Sequence, residues 1–307
     1  MTSDYIKQLR EKVLADRENY SLLEEYAVAL SNIGENEEAF KNLLFLVKKF
    51  PDNTNVLYNI GIILEKLKYY DKAIAIYEKA LSLSPDDADI MYNLADVYIK
   101  TADYDAAEKL LLKITESEPD DENSYFRLGE ICNNTGRYED AVKFFTKASE
   151  LDNTDVFAKF NLAYALKQLN DVKTAVRLYN EVIESNPDYS WAYFNLASID
   201  YEQGNTEGAI DNLEKTLKYN PKDVEAYKIY TKILTKNNDY KKALSIAKSA
   251  VENCDEEGDL YYILAQIQRL NNSKEEYIKN MSEALKHSNT LSISPKVIKN
   301  EMDEFLK

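Results

Sequence analysis

Five of the six prolines fall on a 34-residue grid. Pro51, Pro85 and Pro119 are one step apart, Pro187 is two steps further and Pro221 one more. Residues 54–85, TNVLYNIGIILEKLKYYDKAIAIYEKALSLSP, read as two amphipathic helices joined by a short turn and closed by a proline. Sliding that frame by 34 lands on residues 88–119, which read the same way. A fixed period of this size marks a stacked array, in which each unit buries its apolar face only against its neighbours. The ordinary expectation of about two domains for 307 residues, at roughly 150 residues each, therefore does not apply.

The grid predicts an N-terminal capping helix within residues 1–19, eight 34-residue repeats over 20–289 and a C-terminal capping helix within 290–307. The first of these shows Ile6, Leu9 and Val13 at helical spacing after polar Thr2, Ser3 and Asp4. The last opens at Ser294-Pro295 and places Ile298, Met302 and Phe305 on one face. Such a tail covers the open side of the array, or else docks on a partner or in the chain's own groove. The eight frames begin at Tyr20, Thr54, Ala88, Glu122, Val156, Ser190, Val224 and Gly258.

Numbering each frame from one exposes its grammar. Position 8, where paired helices cross closely, holds Ala27, Gly61, Ala95, Gly129, Ala163, Ala197, Thr231 and Ala265. Position 20 is alanine in seven frames, and Tyr277 breaks the rule in the eighth. Position 7 is always large: Tyr26, Ile60, Leu94, Leu128, Leu162, Leu196, Tyr230 and Leu264. Position 15 closes the first helix and favours residues that tolerate a left-handed backbone. Gly34, Gly136, Gly204, Asn170, Asn238 and Asn272 suit it; Lys68 and Ala102 do not.

Leu57, Ile60, Gly61, Leu64, Ala73, Tyr77 and Pro85, and again Tyr125, Leu128, Gly129, Ala141 and Phe145, resemble the tetratricopeptide repeat (TPR) pattern. The resemblance extends from residue 20 to about 289, with Lys159 and Tyr277 as departures. It implies an all-α fold, a right-handed TPR-like superhelical solenoid of antiparallel helix pairs. It also implies that positions 2, 5, 6, 9, 12 and 13 of the first helices line a concave groove.

Composition narrows the chemistry. A net charge of −16 disfavours nucleic acid and anionic membranes as partners, because both are bound through Lys and Arg. No apolar run approaches the roughly 18 residues of a membrane span, and the start lacks the apolar core of a signal peptide. With Cys132 and Cys254 as the two cysteines, a disulfide framework is not expected, and a cytoplasmic setting fits. His287 is the single histidine, and no phosphate loop, dinucleotide loop, nucleophile elbow or calcium loop occurs. Neither catalysis, a cofactor nor a metal is expected. The acidic pairs Asp86-Asp87 and Asp120-Asp121 lie at helix starts, where the helix dipole favours them.

Three features mark a candidate docking surface. Position 6 reads Asn59, Asn93, Arg127, Asn161 and Asn195. Side-chain amides in a row can bond peptide main chain at donor and acceptor, as the resemblance implies they do. Phe157, Phe160, Tyr164, Trp191, Phe194 and Tyr201 gather aromatic surface in the fifth and sixth repeats, and Trp191 is the chain's one tryptophan. Lys228, Lys232 and Lys236 then recur at i, i+4, i+8, a basic strip suited to an acidic segment. A chaperone-type carboxylate clamp is disfavoured: Asn93 and Arg127 match it, but Tyr58, Ile62 and Asn123 do not.

The expected function is a non-catalytic scaffold that binds an extended peptide or protein segment in its groove. The alternatives are a regulatory or substrate-recruiting subunit of an enzyme, as in glycosyltransferases that carry such arrays, and a self-assembling structural module. Oligomeric state is left open by the sequence.

Overall fold

A computed structural model describes residues 3–306; Thr2 and Lys307 lie outside them. The described residues form α-helices and one 3₁₀ turn, without a strand. Helix α1 spans Ser3–Ala15. Eight first helices follow: α2 (Tyr20–Asn32), α4 (Thr54–Lys66), α6 (Ala88–Lys100), α8 (Glu122–Asn134), α10 (Val156–Gln168), α12 (Ser190–Glu202), α14 (Val224–Lys236) and α16 (Gly258–Leu270). Each is followed by a second helix: α3 (Asn36–Lys49), α5 (Tyr70–Leu83), α7 (Tyr104–Ser117), α9 (Tyr138–Leu151), α11 (Val172–Ser185), α13 (Thr206–Tyr219), α15 (Tyr240–Asn253) and α17 (Lys274–Lys286). Helix α18 (Pro295–Leu306) follows. Two compact units result, 1–161 and 162–307, with the boundary inside α10.

Local chemistry sets the helix ends. The residue before six first helices is Asn or Asp and caps the helix with its own side chain: Asn19, Asn53, Asp87, Asp121, Asp155 and Asp223. Asp87, for example, accepts from the Ile90 amide at 3.1 Å. The acidic residues after the repeat prolines thus satisfy amides that the helix itself leaves open, besides easing its dipole. At the other end all eight first helices stop on a left-handed residue. Lys68 and Ala102 adopt φ 61° there despite carrying side chains that disfavour it. Closure of the paired helices overrides their local preference, at a cost of about 1–2 kcal/mol each.

The core lies between the paired helices. Positions 8 and 20 are buried in every frame, as is position 7 except for half-buried Leu162. Where position 8 is glycine, an aromatic ring fills the space. A Cβ on Gly129 would lie 2.7 Å from Cε1 of Phe145, and one on Gly61 would meet Tyr77. In the seventh pair the sizes are exchanged: Thr231 stands at position 8 and small Ala247 at the ring's position, both buried. Cys132 is fully buried, and that burial pushes its thiol up to about 11, which leaves it inert at neutral pH.

Tyr277 is accommodated by the tail. Its ring packs 4.5 Å from that of Phe305, and the Arg269 guanidinium lies 5.5 Å from the Phe305 ring. Helix α18 packs on α17 through the same cluster. Ile298, 34 residues after Leu264, is fully buried, so α18 continues the spacing of the first helices.

Candidate functional site

In the first unit α2, α4, α6 and α8 are joined in turn by polar side chains that follow a repeated pattern. Position 6 donates to position 5 of the preceding pair. Asn59 Nδ2 reaches Glu24 Oε1 at 3.0 Å, Asn93 Nδ2 reaches Tyr58 OH at 3.0 Å, and Arg127 Nε reaches Tyr92 OH at 3.3 Å. A second rung runs from position 13 to position 12: Lys66 Nζ donates to Ser31 Oγ at 2.9 Å, and Lys100 pairs with Glu65. Arg127 also pairs with Asp96 at 2.9 Å and Glu130 at 2.7 Å. The face is cross-linked by polar contacts throughout these pairs.

The predicted asparagines accordingly have donors that are already engaged. Besides Asn59 and Asn93, Asn161 Nδ2 donates to Phe157 O and Asn195 Nδ2 to Trp191 O, both at 2.9 Å. Asn195 is buried, the others half-buried. Each keeps a carbonyl oxygen as an acceptor. Phe157 is 55% exposed and shares a cleft of about 400 Å³ with Arg127, Tyr92 and Phe126. Phe160 is half-buried.

In the second unit, Trp191 is 53% exposed and meets half-buried Phe194 edge-on at 6.2 Å. Tyr164 is half-buried. Lys167 is compensated locally, donating to Ser198 Oγ at 2.9 Å and lying 3.5 Å from Glu202. The Tyr201 ring lies beneath two cations, with Lys232 Nζ and Lys236 Nζ each 5.9 Å from its centre.

Next to those lysines opens a cavity of about 680 Å³, bounded by α14, α16 and the segment after α17. Nine of its thirteen lining residues occupy positions that the resemblance assigns to the groove, Lys228, Lys232, Thr235 and Lys236 on α14 and Asp259, Tyr262, Ile263, Gln266 and Leu270 on α16. Its apolar lining comes from Ile263, Ile267, Leu270 and Ile293. Position 6, asparagine or arginine in the second to sixth frames, is isoleucine at 229 and 263, so the polar rung cannot form. That switch to an apolar residue on an otherwise polar face was readable in the sequence. The contribution of Ser292 and Ile293 was not, because they lie outside the periodic frames.

One latch holds the tail wall. Asp259 accepts from the Ser292 amide at 2.7 Å and its hydroxyl at 3.0 Å, and pairs with Lys228 Nζ at 2.9 Å. Burial alone would raise the Asp259 carboxyl, but these donors outweigh it and hold the group below its ordinary value. For Lys228 burial would lower the ammonium, and Asp259 with Glu225 outweighs that and raises it. Nearby, Thr290 Oγ1 accepts from the Gly258 amide at 2.7 Å, and Glu301 on α18 accepts from Gln266 at 2.7 Å and Tyr262 at 3.2 Å. Among the described residues no group of three or more His, Cys, Asp or Glu could hold a metal, and no helix is long and apolar enough to cross a membrane.

Known proteins place this geometry. Sequence profiles described as tetratricopeptide repeat match residues 18–88, 64–128, 135–199, 168–233 and 200–267. No curated protein matches the chain. Among solved structures, the fold is similar to YrrB, "a TPR protein with an unusual peptide-binding site", at 21% identity and TM-score 0.52, covering 61% of this chain and 96% of that one. MamA from Desulfovibrio magneticus is similar at 24% identity and TM-score 0.53, covering 56% and 97%. A tetratricopeptide repeat protein from Parabacteroides merdae is similar at 18% identity and TM-score 0.52, covering 94% and 99%. With the periodic grammar, the helix pairs and these profiles in agreement, the chain belongs to the tetratricopeptide-repeat family.

Proposed function

We propose that this chain is a non-catalytic interaction scaffold whose first-helix face binds an extended segment of a protein partner. The cavity between α14 and α16 carries the reading: on a chain of net charge −16, it combines apolar lining with three lysines on positions that family members use for docking. In the first unit the side-chain oxygens of Asn59, Asn93 and Asn161 accept main-chain N–H groups of such a segment; within the second unit Asn195 does the same, exposed Trp191 anchors a side chain, and the lysine strip receives an acidic stretch. The peptide-binding description of YrrB supports the class of ligand, though the likeness is one of fold.

The test compares captured proteins between the wild-type chain and a triple variant, Phe160→Ala, Trp191→Ala and Lys232→Glu, with binding then measured for each captured partner. Partners retained by the wild type alone, and bound roughly tenfold more tightly by it, fit an anchor whose truncation removes 1–3 kcal/mol or so. Identical capture and affinity would overturn the reading.

A further inference from the structure

We infer that the α14–α16 cavity is a two-part pocket for a partner segment in which a bulky apolar residue is directly adjacent to a carboxylate residue. This deepens the docking reading and rests on it for the ligand being a peptide. Three observations fix the two parts.

The first is the lining. At about 680 Å³ the cavity lies within the roughly 300–1,000 Å³ range of specific ligand sites, large enough for more than one side chain. Ile263, Ile267 and Ile293 offer it no hydrogen bond, so water held there is readily displaced by an apolar group. The second is the state of the cations. Lys228 is committed to Asp259 and Glu225, at 2.9 Å each. Lys232 and Lys236 have no carboxylate partner among the described residues and are held only over the Tyr201 ring. The anion subsite is therefore the Lys232–Lys236 end of the cavity, one helical turn or more away from the latched Lys228. The third is the fixed tail wall: the Asp259–Ser292 bonds hold Ile293 in place, so the apolar part is formed before any ligand arrives.

The experiment uses the full chain with isotope-labelled isoleucine methyl groups and three capped dipeptide probes. One carries phenylalanine followed by aspartate, the second phenylalanine followed by asparagine, the third alanine followed by aspartate. The inference expects the first to shift the methyl signals of Ile263, Ile267 and Ile293. Affinity falls about threefold for the neutral probe, the scale of a partly exposed ion pair, and roughly tenfold for the alanine probe. Lys232→Glu with Lys236→Glu then removes the preference for aspartate over asparagine. Ile263→Asn, which restores the residue that four other repeats carry at this position, removes the preference for phenylalanine. Equal binding of all three probes overturns the inference. So do silent isoleucines with shifts at Trp191 and the asparagine side chains, an outcome that leaves the broader docking reading standing. If no first-helix signal responds to these probes and no partner is captured, both fail.

Discussion

The first-helix faces of the second to fourth pairs and of the seventh and eighth pairs use the same positions to opposite ends. In the former, position 6 is Asn59, Asn93 or Arg127, and each reaches back to position 5 of the preceding pair. The helices are bonded to one another and the surface between them is polar. In the latter, position 6 is Ile263, and position 5 is Lys228, which turns to Asp259. The face loses its rung and opens into a cavity lined by isoleucine. The difference lies at position 6: in the second to fourth pairs its amide or guanidinium joins neighbouring helices, whereas at 263 its isoleucine lines a cavity between α14 and α16, which Lys228 and Asp259 join instead. On the first-helix face of the first unit Lys66 is met by Ser31, Lys100 by Glu65 and Asp96, and Arg127 by Asp96 and Glu130; on that of the second, Lys232 and Lys236 are held over a ring.

The most severe way to break this contrast is to remove the latch. Asp259→Ala leaves a half-buried Lys228 with only Glu225 and frees Ser292. We expect a loss of about 2–3 kcal/mol in denaturant unfolding, less than a fully buried pair because Lys228 retains some solvent. Amide exchange in α18 should accelerate with it; unchanged protection there would mean the tail wall is held by its apolar contacts alone. The next is a test by pH. The Asp259 carboxyl is held below its ordinary value, so the stability it contributes is fully present above pH ~4 and is lost as pH falls through its folded value. Acidification below pH ~4 should release α18 protection in the wild type, and Asp259→Asn should flatten that dependence.

On the other face, Arg127→Ala removes contacts to Tyr92, Asp96 and Glu130 together and should cost about 1–2 kcal/mol, whereas Asn93→Ala should cost about 0.5–1 kcal/mol. Equal and negligible effects would show that the rungs contribute nothing, and the contrast would reduce to shape. The smallest effect has the opposite sign. Left-handed helix ends fall on Lys68 and Ala102 in the first unit but on glycine or asparagine throughout the second. Lys68→Gly and Ala102→Gly should each stabilise the chain by up to about 1 kcal/mol in thermal unfolding, and a loss instead would mean that their side chains are needed where they are.

Much of the fold was legible because its rules repeat. Small residues at positions 8 and 20 and large ones at position 7 recur in register, and eight noisy instances of one pattern are far more informative than one. Tyr277 read as a fault because its partner, Phe305, lies 28 residues away on α18, beyond the last full frame. Lys68 and Ala102 read as exceptions because local preference is visible in a sequence while the closure of two packed helices is not. The surface was less legible. Residue type gave the asparagine row, but not that each Nδ2 is engaged within the chain, Asn59 and Asn93 by a neighbouring helix and Asn161 and Asn195 by their own backbone. The lysine strip was visible; that Lys228 is neutralised and Lys232 and Lys236 are not depends on Asp259, three decades of residues along.

The cavity's third wall comes from the link between α17 and α18, which obeys no repeat grammar. Residues in the periodic frames must satisfy packing on two sides at once, so few exchanges there are neutral. Ser292 and Ile293 face no such double demand. Related chains could therefore diverge in what they recognise by altering a few tail residues, with the helical stack inherited intact.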